Sequence, residues 1–384
     1  MALSPTDHIP SVGLLSIDTG ALVANWRLLK KRMLQGDPLA ECAAVVKANA
    51  YGLGVSAVSQ ALWSAGCRFF FVSTLFEAIE LRASIGNEAQ IVVLGGLSHG
   101  VGNEWRHYQL IPVLFDSEHL RWWADYNRGV NEPLACVLKI DTGMHRLGLS
   151  PQEFEQLCAA SDTTTWCLPL LVMSHLACAD EPEHPLNNQQ LAIFTEGARL
   201  AKACFPNARY SLANSSGLFL QREFAFDVGR PGIALYGGNP TPSLPNPMHA
   251  VVSLHLPIMQ IKTLSVGESA GYGAAFVAQR PTRLAIVFGG YADGLLRALS
   301  QSGCAYLGGH QVSLVGRVSM DSMIFDVSDV ENEVGVASAI EIIGMNQSVD
   351  ELAKSAGTVA YELLTDLGRR YQRHYVHSSI DEVL

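Results

Sequence analysis

Eight short apolar runs, spaced along residues 43–237, constrain this chain more than any other feature: "AAVVKA", "RFFFVST", "QIVVLGG", "LIPVLF", "ACVLKID", "LPLLVMSHL", "RYSLAN" and "FDVGRPGIALYG". Runs apolar throughout, rather than alternating, are the mark of strands covered on both faces, as in a parallel sheet. The segments around them, among them "ALVANWRLLKKRML", "SAVSQALWSAG", "EHLRWWADYN", "PQEFEQLCAA" and "NQQLAIFTEGARLAKACF", place apolar residues three or four apart, the period of an amphipathic helix. Eight strands alternating with helices predict an α/β fold, a closed (β/α)8 TIM-type barrel, an architecture that takes ~250 residues.

The chain has 384 residues, which leaves room for a second domain. After "PNPMHAVVSLHLPIMQIKTL" the pattern changes to short β-rich runs ("RLAIVFGG", "CAYLGG", "QVSLVGRVSM", "SMIFDVSD") separated by glycine and aspartate turns. The expected division is a barrel over 16–243 and a predominantly β domain over 244–384, with an N-terminal strand within 1–15 joining the latter. "SVGLLSID" supplies the hint for that strand.

Charge and cysteines narrow the class of function. With 26 Lys+Arg against 36 Asp+Glu the formal charge is −10, and no long basic run offsets it, which argues against nucleic acid as a partner. The eight cysteines are scattered without a Cys-x-x-Cys pair, so a metal site is not expected and most read as reduced core residues. "MALSPTDHIPSVGLL" lacks a basic n-region and a long apolar h-region, and no apolar stretch reaches spanning length. A cytoplasmic small-molecule enzyme, without membrane contact, fits this balance.

Lys47 stands at the end of the first run, in "AAVVKANAYGLG". An ammonium at the end of a buried strand must snorkel, shift its pKa, or be engaged covalently. "GLGVSA" also has the Gly-x-Gly-x-x-Ala outline of a dinucleotide-binding turn. A third reading makes Lys47 the Schiff-base amine for a carbonyl cofactor. Barrel enzymes gather their chemistry at the C-terminal strand ends, where this sequence also places Asp141, Arg146, His175, Asn214, Ser215 and Arg230. That convergence favours the third reading, and a dinucleotide turn needs an open sheet instead.

With these residues in place, the sequence resembles the alanine racemase family of fold-type III pyridoxal phosphate enzymes over nearly its whole length. The resemblance rests on an ordered set: "AVVKANAYGLG", "KIDTGMHRLG", "SHLACADE", "LANSSG", "GRPGIALYG", "AGYGAAF", "GYADGLLR", "VGRVSMDSMIFDVSD" and "VAYELLTDLGRRYQRHY". Two positions depart from it: Leu53, where histidine is usual, and His145, where glycine is usual.

What the resemblance implies is specific. Lys47 would hold pyridoxal 5'-phosphate as a Schiff base and act as one base, with Tyr272 as the second. Arg230 would face the pyridine nitrogen and His175 would link Tyr272 to Arg230. Tyr51, Ser215, Gly232, Ile233 and Tyr361 would bind the phosphate, with Asn214 also at the cofactor; Ser215 could also cap the next helix. Arg146 would serve the phenolic oxygen or the substrate carboxylate, while Met320 and Asp321 lie at the substrate end and Tyr291 gates it. Lys139 matches a lysine carbamylated in some relatives, the alternative being an unmodified lysine paired with Asp141. The implied activity is interconversion of L- and D-alanine by a homodimer with composite sites, supplying D-alanine for peptidoglycan. Competing readings are a serine or broader-specificity racemase, a decarboxylase on the same barrel, and a non-catalytic pyridoxal phosphate carrier.

Overall fold

A computed structural model describes residues 12–97, 102–160, 165–330, 335–336 and 338–380. All eight apolar runs hold strands. Seven form one parallel sheet in chain order: Ala44–Val45, Phe69–Val72, Gln90–Val93, Leu110–Leu114, Cys136–Lys139, Pro169–Met173 and Arg209–Ser211. The eighth, Val228–Gly229, pairs in parallel with Glu41–Cys42 just before the first strand. Its flanks reach the seventh through Asp227 N–H to Tyr210 O (3.0 Å) and Arg230 N–H to Ala213 O (3.0 Å), which closes the ring. Every residue of Phe69–Val72 and Cys136–Lys139 is buried, consistent with strands covered on both faces. The helices between strands include Val55–Ser64, Leu75–Ile85, Ser117–Arg128, Pro151–Ala159 and Pro185–Cys204. Closure removes the open sheet that a dinucleotide turn would require.

The other unit is antiparallel for the most part. Its eight-stranded sheet runs Thr282–Phe288, Ser322–Asp326, His310–Leu314, Cys304–Leu307, Ala339–Ile343, Val252–Leu264, Leu14–Asp18, Gln372–Val376, and Thr282–Phe288 pairs again with Val252–Leu264. Leu14–Asp18 is antiparallel to Val252–Leu264 on one side and parallel to Gln372–Val376 on the other. Contacts group residues through Ala21, 236–238 and 249 onward with this sheet, and 22–235 with 239–248 in the barrel. These limits differ from the expected 16–243 and 244–384: the strand at the N-terminus extends to Asp18, past the expected limit of 15, because its sheet partners continue to that residue. Of the expected strand range 1–15, residues 1–11 lie outside the described ones. The eight cysteines are free, but only Cys42, Cys67, Cys136 and Cys167 are buried; Cys158, Cys178, Cys204 and Cys304 are half-exposed, so half of the eight rather than most lie in the core.

Candidate active site

The first barrel strand stops at Val45, and the chain then makes an unusual turn. Ala48, Asn49, Ala50 and Tyr51 have φ of 53°, 54°, 53° and 55°, four successive non-glycine residues in left-handed conformation. Each such residue costs roughly 1–2 kcal/mol, so the turn exists only because its surroundings impose it. Lys47 precedes these four residues and is half-buried. Burial, and next the nearby Arg146 guanidinium, push its ammonium pKa down, while the Glu77 carboxylate pushes it up.

The cations of the barrel mouth act on one another. Lys139, at the end of Cys136–Lys139, is 7% accessible, and burial with Arg146 and Arg230 lowers its pKa to about 8. No described carboxylate makes an ion pair with it. Asp141 is otherwise engaged, accepting from the amides of Gly143 (2.9 Å), Met144 (3.1 Å) and His145 (3.1 Å) and lying 3.3 Å from His145 Nδ1. Burial pushes the Asp141 carboxyl up, but these bonds outweigh it and leave it below its usual range. The pairing of Lys139 with Asp141 is therefore not found. His145 has φ of 54°, which explains why glycine is usual there. Leu53 is fully buried in the core.

Arg230 is 4% accessible and enters the same mouth from the eighth strand. It donates to Ser211 Oγ, to Ser174 O (2.5 Å) and to Leu212 O (3.5 Å), and burial lowers its pKa to about 10, so it remains charged near neutrality. His175 is pushed well below its usual value by burial first and then by Arg230, Lys139, Arg146 and Lys47, which leaves its ring neutral. Arg146 itself is exposed. Lys47, Lys139, Arg146, His175 and Arg230 are thus brought together.

A second cluster adjoins this set in sequence. The amides of Gly232 (2.9 Å) and Ala234 (3.3 Å) converge on the hydroxyl of Ser215, itself 3% accessible. A Cβ on Gly232 would lie 2.2 Å from Tyr51 Oη, so only glycine admits the tyrosine hydroxyl there. Ile233, the residue between these two amides, is buried. Ser215 makes no cap to the following turn; Asn214 Oδ1 accepts from Gly217 N–H instead (2.9 Å). Asn214 is thereby held by the backbone, which corrects the expectation of a serine cap.

The remaining expected residues belong to the β-rich unit. Tyr272 sits in the turn between Ser269–Ala270 and Phe276–Val277, flanked by Gly271 (φ 75°) and Gly273 (φ 71°), and is 71% accessible. Tyr291 N–H donates to Ser319 O (3.1 Å) and Ala292 N–H to Met320 O (3.0 Å), so Tyr291, Met320 and Asp321 form one surface segment. Tyr361 opens the helix Ala360–Asp366 and is half-exposed. The Asp321 carboxylate accepts from Arg370 (2.7 Å), which also forks onto the fully buried Asp293 (2.6 and 2.7 Å). Sequence reasoning missed Glu77 and Arg370. "TLFE", a Thr-x-x-Glu capping box, was a visible signal for the first, whereas Arg370 lay unremarked within "DLGRRYQRHY".

The model described as "Alanine racemase, N-terminal domain" matches residues 17–240, and "Alanine racemase, C-terminal domain" matches 251–375. The chain is 45% identical to "Alanine racemase, catabolic" of Agrobacterium fabrum over 365 residues, covering 95% of this chain and 92% of that protein. It is 44% identical to "Alanine racemase, biosynthetic" of the same organism over 377 residues, covering 94% and 93%. Among solved structures, alanine racemase from Bartonella henselae with covalently bound pyridoxal phosphate superposes with a TM-score of 0.90 at 37% identity, covering 96% of this chain and all of that one. With both family models matched in order along a barrel followed by a β-rich unit, the chain belongs to the alanine racemase family.

Proposed function

We propose that the protein is a pyridoxal phosphate-dependent alanine racemase that interconverts L- and D-alanine, with Lys47 and Tyr272 as its two bases. The observation that carries this reading is the half-buried Lys47 with its lowered pKa, set on a left-handed turn among Arg146, Lys139 and Arg230. The residues fit the cofactor. An excess of cations suits a phosphate monoester and a phenolic oxygen, and the hydroxyls of Tyr51 and Ser215, both set against Gly232, bring polar groups to the place proposed for the phosphate.

When bound, pyridoxal phosphate supplies an electron sink that acidifies the Cα–H of an attached amino acid. The chain's own part is to hold and move protons. Lys47 Nζ would carry the cofactor and exchange a proton with Cα from one face, and its lowered pKa brings it nearer the working pH. The Tyr272 phenol would exchange a proton at the opposite face, which inversion requires. Arg230, charged and fixed by three acceptors, would donate to the pyridine nitrogen without surrendering its proton. His175, neutral at the mouth, can relay a hydrogen bond without adding charge. Arg146 is free at its exposed end to meet a carboxylate.

Tyr272, Tyr291, Met320 and Tyr361 are 71%, 44%, 53% and 45% accessible, an unusual exposure for large side chains expected at a reaction centre. A two-fold dimer in which the tyrosine of one subunit serves the lysine of the other accounts for it. Lys139, buried, unpaired and partly neutral, suits carbamylation. No helix among the described residues is long and apolar enough to cross a membrane; a cytoplasmic location is part of the proposal. Relatives are named both catabolic and biosynthetic alanine racemase; supply of D-alanine for peptidoglycan is the role proposed for this chain. Chiral chromatography after incubation with a panel of L-amino acids tests the reading: D-alanine should form fastest. Preferential turnover of serine would move the assignment to a broader racemase, and no turnover would leave a cofactor carrier.

A further inference from the structure

We propose that Glu77 is a positioning residue for Lys47, its carboxylate acting as the clamp that holds Ala48–Tyr51 in the left-handed turn. The inference rests on the reading of Lys47 as cofactor anchor and base. Most amides around the turn find acceptors within it: Ala50 N–H donates to Val46 O (2.9 Å), Gly52 N–H to Ala48 O (2.8 Å) and Gly54 N–H to Asn49 O (3.0 Å). Ala48, the first left-handed residue and the one after Lys47, donates its N–H outward to Glu77 Oε1 at 2.8 Å. The other oxygen of that carboxylate takes the amides of Ser73 (2.7 Å) and Thr74 (3.1 Å) at the head of the helix Leu75–Ile85. One carboxylate therefore ties the turn after the first strand to the loop after the second. Charge-assisted bonds of this kind are the strong ones, and here they hold a backbone that is otherwise disfavoured.

The same carboxylate is the negative charge that Lys47 feels, against Arg146, and Lys139 and His175 share the mouth with it. An ordinary helix cap would need only the Ser73 and Thr74 amides and the reciprocal bond from Glu77 N–H to Thr74 Oγ (3.2 Å). The bond to Ala48 lies outside that motif. It makes Glu77 more than a cap.

The test uses the full-length chain, freed of cofactor and resupplied with pyridoxal phosphate, and follows the visible band as Lys47 is engaged, with borohydride fixation and peptide mapping to locate the label. Glu77→Gln keeps one acceptor oxygen and removes the charge; Thr74→Ala breaks the cap while leaving the Ala48 bond intact. Glu77→Gln should slow attachment about tenfold, equivalent to about 1.4 kcal/mol, and Thr74→Ala should stay within about twofold. The pH midpoint of Lys47 methylation by formaldehyde and borohydride should fall in Glu77→Gln alone. Unchanged attachment in Glu77→Gln, or equal slowing in both variants, would overturn the proposal. Label found off Lys47 in the unaltered chain would instead overturn the anchor reading on which it rests. Should Glu77→Gln fail to fold, amide exchange in the unaltered chain decides: the solvent-exposed Ala48 amide should be protected like a strand amide, and free exchange there refutes the clamp.

Discussion

Replacing Gly232 by alanine adds one methyl group, and the geometry fixes where it goes. The new Cβ would stand 2.2 Å from Tyr51 Oη and 3.0 Å from Tyr51 Cζ, so the ring must retreat by more than an ångström or the loop must shift. Overpacking of this kind costs about 1–3 kcal/mol. Tyr51 is 5% accessible and is the last residue of the left-handed turn after Lys47, so the displacement falls on the proposed phosphate end of the site. If the strain is felt mainly in the bound form, apparent cofactor affinity should fall by about 5- to 150-fold. Equilibrium dialysis of the reconstituted chain against pyridoxal phosphate measures it. Tyr51→Phe removes the 2.2 Å contact at the expense of one donor, a loss of about 0.5–1.5 kcal/mol. Combined with Gly232→Ala it should therefore give a defect well below the sum of the two. Additive defects, or a Gly232→Ala protein with undiminished affinity, would refute the placing of the phosphate against Tyr51 and Gly232.

Three further outcomes follow from the same structure. At pH 7.5 an amine with a pKa of about 8 is roughly a quarter neutral, against about one part in a thousand for an ordinary lysine. Lys139 should therefore take up labelled carbon dioxide as a carbamate, seen by carbon NMR, more fully as pH rises through 8 and not at all in Lys139→Ala. Arg370→Ala strips the fully buried Asp293 of its forked partner and should lower stability by about 3–5 kcal/mol, read from urea unfolding with Asp293→Asn as a milder comparison. Mixing inactive Lys47→Ala and Tyr272→Ala chains should restore activity on subunit exchange, and confirmed heterodimers that stay inactive would exclude shared sites.

The barrel was legible because strands buried on both faces leave continuous apolar runs, and each of the eight runs from "AAVVKA" to "FDVGRPGIALYG" holds a strand. Lys47, Arg230 and His175 were legible by their places at strand ends. What escaped was structure decided by distant partners. Nothing in "KANAYGLG" marks Ala48–Tyr51 as left-handed, since its glycines come only afterwards and the turn is held by Glu77, 29 residues away. Arg370 reaches Asp321 and Asp293 across 49 and 77 residues, a link with no local pattern. A cap from Ser215 was a reading the sequence allowed, whereas the bond from Gly217 N–H goes to Asn214, because serine and asparagine both cap well and backbone geometry alone chooses between them.

The central claim is that two groups, on opposite faces of Cα, exchange its proton. Tyr272→Phe keeps the ring and removes the ionisable oxygen, while Lys47 remains. Single-turnover exchange of the Cα hydrogen in deuterated water, followed separately for the two enantiomers with the fully loaded full-length protein, tests the claim most directly. The account predicts that D-alanine still exchanges with its configuration largely retained, while exchange from L-alanine is strongly slowed. Equal slowing of both enantiomers would contradict it, leaving Tyr272 without a face of its own.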